Sequence, residues 1–194
     1  MIWAATVVVF VADLFTVTRP EAWTPITMAA HHSGWLIYST LQVFGALASL
    51  VPMILIAAAL RATSGRGLAW AALVFNALAL ALLGVWIALR FSMASITEGT
   101  LGDLTTFQIA VGPLAAAIHV ATMLGFAALG LCLWQTRRAR WTGLVVAVLS
   151  LLLIPLVFGQ DHGPPVFLYS LLWLPVGLAL LWNQRKAALK PTAV

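Results

Sequence analysis

Residues 61–90 read RATSGRGLAWAALVFNALALALLGVWIALR: a short turn carrying two arginines and two glycines, then an apolar run that ends at Arg90. From Leu68 to Leu89 the run contains no charged residue and no proline. At a rise of about 1.5 Å per residue it is long enough to cross a hydrocarbon core of about 30 Å. The glycines stop whatever helix precedes them, and the arginines hold the turn in water.

Five further blocks of the same kind flank this one. The expected spans are 2–18, 35–60, 68–89, 113–134, 141–158 and 166–182. A backbone in hydrocarbon has no water to bond, so its NH and CO groups must pair within the segment, which makes each block a helix. A transmembrane β-barrel would instead alternate apolar and polar residues, and these runs do not alternate. The predicted fold class is therefore an all-α integral membrane protein, a single bundle of six transmembrane helices over residues 1–194.

Charge orients the bundle. Arg61, Arg66, Arg137, Arg138, Arg140, Arg185, Lys186 and Lys190 occupy alternate gaps and the C-terminal stretch, while Glu21, Glu98, Asp103 and Asp161 lie in the other set. Short loops rich in Lys and Arg stay in the cytoplasm, so both termini are expected there and residues 183–194 form a basic cytoplasmic tail. The expected location is a plasma (inner) membrane of bacterial type. Tryptophans agree: Trp3, Trp70, Trp134, Trp141 and Trp182 fall at the expected inner boundary, and Trp23, Trp35 and Trp86 at or near the outer one.

The chain is 63% hydrophobic and only 8% charged, against about 25% charged in soluble domains. A soluble fold of this composition would expose adhesive apolar patches. Its net charge of +5 does not point to nucleic acid, because the basic residues lie in short loops beside apolar runs rather than in a basic domain. Anionic lipid heads are the expected counter-charge. The lone Cys132 excludes an internal disulfide and reads as a small packing residue. No basic n-region precedes the first apolar block, so a cleavable signal is not expected, and the abrupt start suggests that the natural N-terminus lies upstream.

Segment four contains Pro113. A span counted back from Trp134 starts near Leu114, which makes Pro113 the first helical residue and Leu101–Val111 a separate outer element. One long tilted helix from Thr105, kinked at Pro113, is the alternative. A kinked or broken segment is expected. Small residues at four-residue spacing, Ala117/Ala121/Gly125, Gly45/Ser49 and Ala77/Ala81, suit close helix approach.

Few residues can carry chemistry. Asp13 lies near mid-membrane, where an ionisable group costs at least about 2.5–3.5 kcal/mol and needs a partner. His119 lies roughly 9 Å below the outer surface if the span starts at Pro113. A histidine there can ligate a metal or haem iron or relay a proton. His31, His32 and His162, with Asp161, fall on the outer side. With Asp13 and His119 they form an outer-half set of imidazoles and carboxylates suited to zinc or another first-row metal. Their spacing matches no metal motif, and bis-histidine haem would need a second histidine at the depth of His119. Gln42, Asn76, Gln108 and Tyr38 are weaker polar candidates, and Asn76 is expected to bond across helices. Nucleophile elbows and phosphate-cradling loops are absent from the sequence.

The functional expectation is a small, non-enzymatic polytopic membrane protein. It would bind a small-molecule ligand, lipid or partner membrane subunit through an outer-half polar pocket of Asp13, His119, His32 and His31, with transport as one use of that pocket. The alternatives are a membrane oxidoreductase or metal-dependent enzyme holding haem or zinc on His119, His31/His32, His162 and Asp161, and a structural subunit of a larger complex.

Overall fold

The computed structural model describes residues 32–92, 101–159, 172 and 175–179. The first expected span with Asp13, the residues His31, Asp161 and His162, most of the sixth span and the basic tail lie outside the described residues. Within them the chain is all-α: α1 is His32–Leu60, α2 Arg66–Ser92, α3 Leu101–Gln135 and α4 Arg140–Gly159. Residues 175–179 are also helical.

Two stretches, Arg66–Leu89 in α2 and Gly112–Gln135 in α3, are each 24 residues long and apolar enough to cross a membrane. At about 1.5 Å per residue each exceeds the hydrocarbon thickness. Shorter apolar helical stretches occupy Leu50–Leu60 and Arg140–Leu156.

Segment four is not broken. Its helix runs from Leu101 to Gln135 with Pro113 inside it, so the separate element expected over Leu101–Val111 is the first part of α3. Proline removes one backbone donor, but its fixed φ is helical, so the helix can continue past it.

Among the described helices α3 is central. It packs along both α2 and α4, whereas α1 lies mainly on α2 and touches α3 less. Residues Met123, Phe126, Leu129, Cys132 and Leu133 of α3 are fully buried. Helix α2 turns Ala69, Ala72, Asn76, Ala79 and Leu83 inward, a single stripe at three- and four-residue spacing. The Ala77/Ala81 face points outward instead.

Glycine decides how close the helices come. A Cβ built on Gly130 would lie 2.5 Å from the carbonyl oxygen of Gly143, and one on Gly143 equally close to the carbonyl oxygen of Gly130. The backbones of α3 and α4 therefore meet with no side chain between them, as small residues allow in helical membrane proteins. On the other flank, a Cβ on Gly125 would meet the carboxamide atoms of Asn76 at 2.7–2.8 Å. At the end of α3, a Cβ on Gly65 would lie 2.7 Å from Cys132 Sγ. That packing, besides helix termination, is a role for Gly65.

Outward faces of α1, α2 and α4 are apolar. Leu55 of α1 is 64% exposed, Val74 of α2 59%, Leu152 of α4 64% and Phe158 of α4 73%. Such continuous apolar surface is costly in water and neutral in lipid. Hydroxyls behave accordingly: Thr40, Thr122 and Thr136 donate to the carbonyls of Leu36, Ile118 and Cys132, each at 2.8 Å and four residues back.

The turns between helices are compact. Thr63 Oγ1 donates to the Leu60 carbonyl at 2.6 Å, covering an end of α1. After α3, Arg137 adopts φ 57°, the left-handed conformation that ends many helices and that glycine usually supplies.

Candidate functional site

Asn76 and Ser150, polar and buried, and Gly125 opposite Asn76 lie at a similar level. Asn76, Gly125 and Ser150 each lie about 15 Å along their helices from Arg66, Gln135 and Arg140 respectively, at the rise of 1.5 Å per residue. In a helix crossing a hydrocarbon core of about 30 Å, that is mid-length. His119 is farther along α3, about 24 Å from Gln135, in the half of the bundle away from the arginine turns.

Asn76 is completely buried. Its Nδ2 donates to the Ala72 carbonyl at 2.8 Å, one turn back on α2. Among the described residues the expected bond to a neighbouring helix is not made: the amide finds a carbonyl on its own helix and faces a glycine across the interface. The three end atoms of the carboxamide are nearly equidistant from the position of a Gly125 Cβ, so the amide lies flat on the α3 backbone. Its Oδ1 has no hydrogen-bond partner among the described residues. Ser150 Oγ on α4 is likewise buried and without a partner among them. In water-free surroundings each such oxygen costs about 1–3 kcal/mol.

His119 is partly buried. It stands one turn from Thr122 and Met123 and two from Phe126, all three buried, so it belongs to an inward stripe of α3. His32 is the first residue of α1. Among the described residues no group of three His, Cys, Asp or Glu side chains is placed to hold a metal ion. The other members of the expected outer set, Asp13, His31, Asp161 and His162, lie outside those residues, so the structure neither gathers nor separates the full constellation. Cys132 is buried, with its Sγ donating to the Gly65 carbonyl at 3.5 Å, which is a packing role.

Sequence reading found Asn76 and His119 by their polarity in apolar runs. It missed the Gly130–Gly143 crossing, because which glycines face each other depends on the register between two helices. A glycine in each of two helices joined by a short turn is the only signal available, and it is weak.

The chain matches no protein-family model. No curated protein and no solved structure is similar to it.

Proposed function

We propose that this chain is a six-span integral protein of a bacterial-type inner membrane, with both termini and the arginine turns in the cytoplasm. It is non-enzymatic and binds a small apolar or cationic ligand, lipid or partner subunit. The polar pocket for it comprises Asp13, His119, His31 and His32 in the outer half, and transport is a use to which such a pocket lends itself. The observation that carries this reading is His119: a titratable ring on the inward stripe of a membrane-length helix, in the half away from the arginines. Apolar outer faces and two helices of spanning length support the membrane setting.

The test is a visible absorption spectrum and metal analysis of the purified protein, followed by binding measurements with native chain and His119→Ala. A colourless, metal-free protein that loses ligand binding in His119→Ala supports the proposal. A Soret band, or stoichiometric zinc lost in His119→Ala, replaces it with the membrane oxidoreductase or metal-dependent enzyme. Co-purification of fixed partners with no phenotype from Asp13→Asn or His119→Ala replaces it with a structural subunit.

A further inference from the structure

The turn between α1 and α2 lies against the far end of α3. The Cys132 thiol donates to the Gly65 carbonyl, and Gly65 also approaches Thr136 closely. Arg61 and Arg66 of that turn are thus brought to the same end of the bundle as Arg137, Arg138 and Arg140 of the next. No Asp or Glu occurs between residues 60 and 71 or between 133 and 144. The helix ends supply little net field here, since the C-termini of α1 and α3 offset the N-termini of α2 and α4. The guanidiniums set the potential.

Two of them are held at a particular level. Arg61 lies over the Trp70 ring, 5.4 Å from its centroid, and Arg140 over Trp141 at 5.8 Å. Trp70, Trp134 and Trp141 are 46%, 39% and 72% exposed around this end. Indole rings partition to the headgroup layer, so cations stacked on them are carried to the same layer. Arg61 Nε donates to the Ala58 carbonyl at 3.1 Å, which fixes the fork while its terminal nitrogens remain as further donors.

We propose that this end of the bundle is a binding site for anionic phospholipid headgroups, formed jointly by the two arginine turns. Phosphate matches the guanidinium fork, and the exposed tryptophans and apolar faces directly beside it accept the acyl chains. A phosphate polymer in water would find the charge but would have no use for the apolar rim. This inference rests on the membrane reading above.

The experiment purifies the full chain in neutral detergent with an equimolar mixture of phosphatidylcholine and phosphatidylglycerol, and counts retained lipids by native mass spectrometry. Phosphatidylglycerol is expected to be retained about tenfold over phosphatidylcholine. The preference should disappear in Arg137→Gln/Arg138→Gln/Arg140→Gln and persist in Arg90→Gln, at the opposite end of α2. Equal retention of the two lipids by the native chain overturns the proposal without any variant, and so does an undiminished preference in the folded triple variant. Alkaline carbonate washing of membranes separates the two failures. Release of the native chain refutes the membrane reading itself, whereas a chain that stays in the membrane but shows no lipid preference refutes only the headgroup site.

Discussion

Replacing Gly130 with alanine adds one methyl group where α3 and α4 touch. The new Cβ would stand 2.5 Å from the Gly143 carbonyl oxygen and 2.9 Å from the Ala147 nitrogen. Ordinary van der Waals contact begins at 3.4 Å, so the backbones must separate by about 0.9 Å. Both obstructing atoms are backbone atoms of a regular helix, and neither can swing aside. A gap of 0.5–1 Å forfeits about a quarter to a half of each dispersion contact it opens. A few tens of contacts near the crossing, at about 0.1–0.2 kcal/mol each, lose about 1–3 kcal/mol, the usual range for overpacking. Alanine returns about 0.5–1 kcal/mol through its better helix propensity, so the net cost is about 0–2.5 kcal/mol. The control is Gly84→Ala in α2, where a Cβ meets nothing within 4 Å and only the propensity gain remains. Thermal unfolding in one detergent should rank Gly84→Ala at or above the native chain and Gly130→Ala below it. Equal midpoints for Gly130→Ala and Gly84→Ala would refute the argument that backbone contact holds α3 to α4.

On the other flank, Gly125→Ala drives a methyl into the Asn76 carboxamide and should destabilise by about 1–3 kcal/mol; adding Asn76→Ala should restore part of the loss, a coupling of about 0.5–3 kcal/mol in a double-mutant cycle of thermal or detergent unfolding. Ser150→Ala removes a buried hydroxyl that has no partner among the described residues, so unfolding should show a change between zero and about 1 kcal/mol in favour of the variant. Arg137→Gly releases a side chain from the left-handed region and should stabilise the α3–α4 turn by about 0.5–1 kcal/mol in the same assay, while lowering anionic lipid retention. Maleimide should leave Cys132 unlabelled in native detergent solution and label it after unfolding in hot SDS, because its sulfur is packed against the Gly65 turn.

Helix α2 was legible because everything that shapes it is local: a glycine-bearing turn, an apolar run and Arg90 near its end. The expected limits 68–89 and the observed Arg66–Ser92 differ only by capping residues. At Pro113 the sequence leaves two alternatives, a break or one long kinked helix, and the structure takes the continuous one, with Pro113 inside α3. Spacing alone does not separate contact residues from outward-facing ones. Ala77 and Ala81 repeat every four positions but face outward, whereas Gly125, Gly130 and Gly143 make the contacts. Alanines are plentiful on all faces of these helices, so only the relative rotation of two helices tells a contact residue from a lipid-facing one. For the site, sequence could flag His119 and Asn76 as polar in an apolar run, but their partners depend on which helices are neighbours.

The way polar groups are satisfied bears on what holds the bundle together. Thr40, Thr122 and Asn76 donate to a carbonyl four residues back on their own helix, and Thr136, just past α3, to the Cys132 carbonyl four residues back. Such bonds make a side chain tolerable in hydrocarbon and add nothing between helices. None of these four bonds joins α3 to a neighbour, and the glycine contacts are where shape does. Among the described residues Asn76 Oδ1 and Ser150 Oγ, buried on either flank of α3, make no bond between helices. Their desolvation opposes folding, and close backbone packing at Gly125 and at the Gly130–Gly143 crossing has to offset it. A bundle built this way should lose more stability from a methyl group at Gly130 than from removal of the Ser150 hydroxyl, an ordering opposite to that of a bundle joined by interhelical hydrogen bonds.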